Sequence, residues 1–196
     1  SITKTSLKSD ILKLIKENLN SKTKYNHLLR IAVNKKILSI SLRKRIKPNL
    51  NFELKLVNLK RQKPEFKNLK YKEILKHLSK IDNSITDIGL CSNNKIFETG
   101  TSNLLFIKNN KIFSPINKFY KGTTYKFFKS KIKKIIKKDI SLNSLKKFDE
   151  IILIGSGKGV ASVKTINQIK WKRKNLKFYK ILYKHYKSAV SSCKKI

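Results

Sequence analysis

Side chains that could do chemistry are concentrated between Lys95 and Phe128 of this 196-residue chain. Glu98 opens a polar turn, residues 98–103, between Ile96-Phe97 and an apolar run that begins at Leu104. Further along, Gly122-Thr123-Thr124 opens an amphipathic pattern typical of a helix. A carboxylate can move protons or hold a cation, and helix-start amides bind anions. Taken singly, each has a plainer interpretation: Glu98 as a solvated residue before a turn, and Gly-Thr-Thr as a helix cap.

The elements that must position these groups can be predicted from periodicity and turn residues. Residues 104–108 predict a buried strand, and Asn109-Asn110, a pair suited to positive φ, predicts a hairpin to a second strand at Ile112-Phe113 that stops at Ser114-Pro115. The helix that starts at Gly122 is predicted to present one apolar stripe. That stripe comprises Phe127, Phe128, Ile132, Ile135 and Ile136.

The order of these features resembles the class IV, or fold-type IV, pyridoxal-phosphate enzymes. That family includes branched-chain and D-amino-acid aminotransferases and aminodeoxychorismate lyase. Its pattern runs from a Glu through Ser-Asn, an apolar strand, a hairpin and Thr-Pro to Leu-x-Gly-x-Thr-Arg at a helix start. Here the matching positions are Glu98, Ser102-Asn103, residues 104–107, Ser114-Pro115 and residues 120–124. Tyr125 stands where Arg is usual.

The resemblance selects one lysine in a lysine-rich chain. The family carries Lys-x-x-Asn-Tyr shortly before a helix and ahead of the Glu, and Lys67 with Tyr71 fits this pattern. Lys70 occupies the usual Asn place, which is a second departure. Lys63 and Lys70 are the fallback candidates.

A second glycine-containing turn, Gly155-Ser156-Gly157-Lys158-Gly159, follows a predicted buried strand at residues 148–154. It is not a nucleotide-binding P-loop, because Ile152 occupies the first Gly place and Gly159 stands where Ser or Thr must follow the Lys. It is similar to the family's Gly-Thr turn over the cofactor phosphate, with Ser156 keeping the hydroxyl.

The resemblance implies a role for each matched residue. Lys67 would hold pyridoxal 5'-phosphate covalently and act as base and acid, and Glu98 would pair with the pyridine nitrogen. Tyr71 would contact the phenolic oxygen of the cofactor. Its phosphate would be bound at a seat formed by Gly122, Thr123, Thr124, Gly155 and Ser156. Amino-acid and 2-oxo-acid substrates follow from the same resemblance.

The formal net charge of +37 suggests nucleic acid or an anionic surface as a partner. However, the arginines are few while Lys, Asn and Ile abound, as A/T-rich codons would produce. Five of the six glycines lie in the segments assigned to the cofactor, so each is expected to have a backbone role. The run Lys60–Pro64 predicts a solvated linker. We therefore expect nucleic acid not to be a partner, with selected polyanion binding as the alternative.

Metal, disulfide and membrane signals are weak. Cys91 and Cys193 have no ligand-spaced partners, which indicates reduced thiols in the cytoplasm. No metal site can be identified around the three histidines, and no apolar run is long enough to span a bilayer. An aromatic stripe on a predicted C-terminal helix, beginning at Tyr179, indicates core packing.

The predicted fold class is α/β (α+β) of fold-type IV. Residues 1–63 would be the remainder of a small α/β domain, and residues 64–196 a larger cofactor-binding domain with a barrel-like sheet and flanking helices. Relatives carry a further N-terminal segment that supplies an Arg to the phosphate, so the chain is expected to be N-terminally incomplete, and a homodimer is expected. The predicted activity is a branched-chain type aminotransferase. Aminodeoxychorismate lyase and a non-catalytic polyanion-binding fragment are the alternatives.

Overall fold

A computed structural model describes residues 4–20, 22–23, 25–34, 36–68 and 70–192. The chain divides into two units, residues 1–45 and residues 46–196. The first unit contains helix α1 (Lys4–Asn18) and an antiparallel hairpin of β1 (His27–Val33) and β2 (Leu38–Lys44). Side chains alternate between more and less exposed along both strands, as a sheet covered on one face requires.

The second unit holds the remaining elements. In chain order they are β3 (Phe52–Asn58), α2 (Lys72–Leu78), β4 (Thr86–Ser92), β5 (Lys95–Thr99), β6 (Asn103–Lys108), β7 (Lys111–Ser114), α3 (Thr123–Lys131), β8 (Ile135–Lys137), a 3₁₀ helix (Leu142–Lys147), β9 (Glu150–Gly155), β10 (Gly159–Ile166), a 3₁₀ turn (Asn167–Ile169), β11 (Trp171–Lys172) and α4 (Lys177–Ser191).

The strands of this unit form one mixed sheet with the order β5-β4-β3-β10-β9-β6-β7-β8, and β11 pairs with β10. The pairs β3–β4, β3–β10 and β7–β8 are parallel, and the others are antiparallel. The sheet curls into a half-barrel with helices beside it. This confirms the predicted α/β class with a barrel-like sheet and flanking helices.

The apolar runs of the central strands are buried because both faces of the sheet are covered. Leu104 and Phe106 of β6 lie in one hydrophobic core, and Leu105 and Ile107 lie in a second core on the opposite face. The alternation follows from the two-residue period of a strand. Part of the stripe on α4 packs into the second core, through Tyr179, Leu182 and Tyr186. The core packing predicted for that stripe is confirmed at these positions.

The Asn-Asn hairpin between β6 and β7 is confirmed, with φ of 50° at Asn109 and 56° at Asn110. The turn between β4 and β5 uses the same chemistry at Asn93 and Asn94, with φ of 50° and 57°. Asparagine tolerates this left-handed region better than other side chains, and it is plentiful in the chain.

The apolar stripe predicted for the helix after Gly122 is wrong beyond its second turn. Helix α3 ends at Lys131, Ile132 is extended, and Ile135 and Ile136 belong to β8. These two isoleucines pair in parallel with Ile112 and Phe113 of β7. The open edge of β7 offers backbone partners, and β-branched side chains favour a strand over a helix.

Strands β4 and β10 were also not predicted from the sequence. Asp87 and Gly89 interrupt the apolar signal of β4, and Ala161 and Ser162 weaken that of β10. Both strands lie inside the sheet, so pairing on both sides fixes them despite their composition.

The domain boundary predicted at residue 63 comes after β3. In the structure β3 belongs to the second unit, where it pairs with β4 and β10. That boundary stays a prediction about the whole protein. Cys91 is a buried free thiol, whereas Cys193 lies outside the described residues. Within the described ranges, no helix is both long and apolar enough to cross a membrane, and no three potential metal-ligating side chains cluster.

Candidate active site

Glu98 lies near the end of β5 and is only 3% exposed. Its Oε1 accepts a hydrogen bond of 2.8 Å from Nε of Arg61, and the backbone N–H of Tyr120 also favours the ionised carboxylate. A buried carboxylate needs such partners, since an unpaired charge in the interior is costly. The solvated interpretation of Glu98 therefore does not hold in the structure.

Two opposing effects act on the Glu98 carboxyl. Burial raises its pKa, and this is the larger effect, while the charge and hydrogen bond of Arg61 and the Tyr120 amide act in the opposite direction. The net pKa is above the ordinary value. The ionised form of Glu98 thus depends on Arg61.

Asn103, the first residue of β6, ties the strand to the loop before α3. Its Nδ2 donates to the carbonyl oxygen of Tyr120 at 2.5 Å, and its Oδ1 accepts from the N–H of Gly122 at 3.2 Å. A Cβ at Gly122 would lie 3.2 Å from the same Oδ1. The loop from Tyr120 to Gly122 is therefore held against the start of β6.

Helix α3 begins directly after this loop. Gly122 is its N-cap in an extended conformation, and no side chain caps the helix start. Thr124 is buried, whereas Thr123 is exposed. The first amides of α3 and the Thr123 hydroxyl can therefore receive an anion.

The turn after β9 approaches the turn between β5 and β6. A Cβ built on Gly155 would lie 3.0 Å from Oγ of Ser102 and 3.4 Å from the carbonyl oxygen of Thr101, so a larger residue would push the two turns apart. Ser156, the next residue, is exposed. The structure thus brings four chain segments to one end of the sheet: the ends of β5 and β9, and the starts of β6 and α3.

Lys67 and Tyr71 lie on the connection between β3 and α2. The Lys67 side chain is exposed, and Tyr71 is the half-buried residue that precedes α2. Next to Lys67, the Nδ2 of Asn68 donates to the carbonyl oxygens of Gln62, Lys63 and Phe66, which folds this connection onto itself. Arg61 at its start ties the connection to Glu98.

The prediction that Lys60–Pro64 is a solvated linker is wrong at two positions. Pro64 is buried, and the Arg61 side chain is only 15% exposed because it pairs with Glu98 and reaches the Gly100 carbonyl at 3.4 Å. Arg61 was not predicted as a site residue. Arginine is scarce in this lysine-rich chain, as glycine is, so its presence at position 61 was a signal of a specific role. Asn103 carried no such signal, because asparagine is common.

The family profile described as Amino-transferase class IV matches residues 4–166. No curated protein sequence matches the chain significantly. Many solved structures do match it.

A branched-chain aminotransferase from Thermoproteus uzoniensis, solved with norvaline, is 13% identical with a TM-score of 0.74, over 95% of this chain and 71% of that one. A putative 4-amino-4-deoxychorismate lyase from Legionella pneumophila is 16% identical with a TM-score of 0.69, over 92% and 75%. An aminotransferase from Brucella abortus, bound to the cofactor PLP, is 16% identical with a TM-score of 0.59, over 76% and 58%.

At these identities the structural likeness shows the fold, and the chain spans 58% to 75% of the length of these three proteins. The profile covers most of the chain, from α1 through β10, and so includes every residue of the candidate site. The chain belongs to the class IV aminotransferase family.

Proposed function

We propose that this chain is a pyridoxal-phosphate-dependent aminotransferase that moves an amino group between an amino acid of the branched-chain type and a 2-oxo acid. One observation carries the proposal: the buried Glu98 carboxylate is bound to Arg61, on the segment that carries Lys67, and its charge is also favoured by the backbone N–H of Tyr120, beside the start of α3. The segment that carries the proposed amine and the segment that starts the proposed phosphate seat therefore both lie beside the carboxylate that is assigned to the ring nitrogen.

The residues present fit pyridoxal phosphate in the chemistry of their donors. A carboxylate can accept about four hydrogen bonds, so Glu98 keeps capacity for a ring N–H beside its two protein partners. Gly122 and Gly155 let the neighbouring segments approach closely, because a Cβ would lie 3.2 Å from Oδ1 of Asn103 at the first and 3.0 Å from Oγ of Ser102 at the second. When bound, pyridoxal phosphate supplies an electron-withdrawing ring that stabilises negative charge at the substrate's α carbon.

Glu98 would keep the proton on the ring nitrogen by offering a negative charge beside it. Burial opposes that charge by raising the pKa of Glu98, and Arg61 favours it. Arg61 is therefore proposed to preserve the ionised carboxylate in a buried site.

Lys67 would bind the cofactor through its amine. Once the substrate has released this amine, it would act as a base that takes the proton from the substrate's α carbon and then as an acid that delivers the proton to a different atom. The Tyr71 hydroxyl would donate a hydrogen bond to the phenolic oxygen of the ring. Both residues lie on the connection that Arg61 and Asn68 hold in place.

The phosphate seat is proposed at the start of α3 and the turn after β9. Thr123 and Ser156 are exposed and would offer their hydroxyls, and the backbone N–H groups of Thr123, Thr124 and Gly155 would complete the seat. Asn103 would fix one side of this seat, because it holds the Tyr120–Gly122 loop from both ends.

Aminodeoxychorismate lyase is the second candidate, favoured by Tyr125 in the usual Arg place. Tyr125 is buried, and its hydroxyl and ring contact the ammonium of Lys137. The chain therefore departs from the common aminotransferase pattern in α3, the helix whose first residues are proposed to bind the phosphate. Formation of 4-aminobenzoate from aminodeoxychorismate, against amino transfer to a 2-oxo acid, separates the two activities.

The test of the proposed function is the absorbance of purified protein with pyridoxal phosphate, before and after borohydride reduction, followed by peptide mapping. We expect a band near the visible edge in the wild type and a reduced adduct on Lys67, both lost in Lys67→Ala. Lys63→Ala and Lys70→Ala are matched controls on the same connection and should keep the band. Lys137→Ala is a further control, because burial and the nearby Lys121 lower the pKa of Lys137 to about 8 and leave part of its amine uncharged at neutral pH.

A band that persists in Lys67→Ala, or an adduct mapped elsewhere, would overturn the assignment of Lys67. No band in any protein, together with binding to heparin that weakens steeply with salt, would favour the polyanion-binding alternative. A homodimer in the cytoplasm belongs to the same proposal, and light scattering of the cofactor-loaded protein tests the dimer.

A further inference from the structure

Lys158, in the turn between β9 and β10, points into the protein. Its side chain is only 6% exposed, and among the described residues it is the one lysine that is buried. A lysine placed among glycines beside a phosphate seat would be expected to reach outward to an anion. Its Nζ instead lies 3.1 Å from the carbonyl oxygen of Asn83, 3.6 Å from Oδ2 of Asp87 and 5.2 Å from the centre of the Phe52 ring.

Asp87 is fully buried in β4 and connects Lys158 to the turn that follows Glu98. Its Oδ2 accepts hydrogen bonds from the hydroxyls of Thr99 at 2.9 Å and Thr101 at 2.6 Å, and its Oδ1 accepts from the N–H of Ile88 at 2.8 Å. The Thr99 hydroxyl oxygen in turn accepts from the N–H groups of Thr101 and Ser102. One carboxylate therefore organises residues 99–102.

These bonds close a ring of contacts between two turns. Lys158 lies three residues after Gly155, and a Cβ on Gly155 would touch Ser102 at 3.0 Å. Residues 155–158 are thus held to residues 99–102 at both ends: directly by close packing at Gly155, and through Asp87, which pairs with Lys158 and accepts hydrogen bonds from Thr99 and Thr101. Because the pair is buried, solvent screens it little, and neither partner can be lost without leaving a charge unpaired in the interior.

We propose that the Lys158–Asp87 ion pair is a positioning device that holds the 155–159 turn in register with the 99–102 turn and thereby sets the affinity for the cofactor phosphate. Lys158 and Asp87 are positioning residues that do not touch the phosphate. The inference rests on the proposed function for its ligand, and on the ion pair and the hydrogen bonds of Asp87 for its mechanism.

The first measurement follows the turns without any ligand. Hydrogen–deuterium exchange of the wild type is compared with Lys158→Met, which keeps most of the side-chain volume and removes the charge. The amides of Gly100, Thr101 and Ser102 are hydrogen-bonded in the structure, and in Lys158→Met we expect them to exchange faster together with residues 155–159. Lys164→Met, an exposed lysine on β10, is the matched control and should leave both turns unchanged.

The second measurement compares the dissociation constants of pyridoxal phosphate and of pyridoxal, which lacks the phosphate. In Lys158→Met we expect about tenfold weaker binding of pyridoxal phosphate, a loss comparable to one hydrogen bond to a charged group, with pyridoxal binding unchanged. If Lys158→Met does not fold, the double variant Asp87→Asn/Lys158→Met replaces it, because it leaves no unpaired charge and still removes the ion pair.

The outcomes separate the inference from the proposed function. Equal weakening of both ligands, or unchanged exchange in the 99–102 turn, would overturn the positioning role while leaving the cofactor assignment intact. A wild type that binds neither ligand would overturn the proposed function and with it the phosphate role. The exchange data would then still decide whether the ion pair couples the two turns.

Discussion

Nε of Arg61 donates to Oε1 of Glu98 at 2.8 Å, joining segments 37 positions apart in the chain. The Glu98 side chain is 4% exposed and that of Arg61 is 15% exposed, so water does little to screen the pair. The bond ties the connection that carries Lys67 to the end of the sheet where the candidate site lies. It also opposes the effect of burial, which raises the pKa of Glu98.

Replacing Arg61 with Met should destabilise the protein by about 3 kcal/mol at pH 8, because it leaves Glu98 buried without its cation. The loss should shrink as the pH falls. Without Arg61 the pKa of Glu98 rises further, and once protonated the carboxyl no longer carries an unpaired charge. Urea unfolding at pH 8 and pH 5 measures both effects.

Lys60→Met is the control for Arg61→Met, since Lys60 is the exposed neighbour and should cost little at either pH. An Arg61→Met loss of the same size at both pH values would contradict the electrostatic explanation and indicate lost packing instead.

Asn103→Ala should cost about 2 kcal/mol, because it removes two hydrogen bonds and leaves the Tyr120 carbonyl and the Gly122 N–H without this partner. It should also speed hydrogen exchange at Gly122 and at the first turn of α3. Asn58→Ala, on an exposed asparagine of β3, serves for comparison. If Asn103→Ala left exchange at Gly122 unchanged, the proposed clamp on the loop would be disproved.

Gly159→Ala should destabilise the turn after β9 for two separate reasons. Gly159 has a φ of +71°, where an L side chain costs roughly 1–2 kcal/mol, and its new Cβ would lie 2.9 Å from Cε1 of Tyr186. Adding Tyr186→Leu should recover the second part of the loss and not the first. Thermal unfolding of the two variants and of Tyr186→Leu alone separates the parts; no recovery in the double variant would show that the close approach to Tyr186 costs nothing.

Lys137 should make stability rise with pH between about 8 and 10.5. Its Nζ contacts Ser114 and Tyr125, and burial together with Lys121 lowers its pKa from 10.5 to about 8, although the residue as a whole is exposed. In that range the unfolded chain binds a proton that the folded protein does not, so raising the pH favours the folded state.

Lys137→Met isolates this effect from the many other lysines. The difference in unfolding free energy between wild type and Lys137→Met, followed from pH 7 to pH 10.5, should change in favour of the wild type as the pH rises. A constant difference would mean that Lys137 titrates alike in the folded and unfolded protein.

Local pattern in the sequence was sufficient for much of the fold. Continuous apolar runs predicted β6 and β9 as buried strands, the Asn109-Asn110 pair predicted the hairpin, and the order of short motifs indicated the family that the profile match then showed. These features depend on side chains a few residues apart, so they remain recognisable in a sequence dominated by Lys, Asn and Ile.

Pairing between distant segments decided the rest. Ile135 and Ile136 form a strand because β7 has a free edge, and β4 and β10 are strands because neighbours pair on both sides of each. No local pattern could show that Arg61 is bound to Glu98, or that Lys158 turns inward to Asp87 while Lys67 stays exposed. Whether a charged side chain is buried depends on partners from elsewhere in the chain that can compensate its lost hydration, and only the tertiary structure brings those partners together.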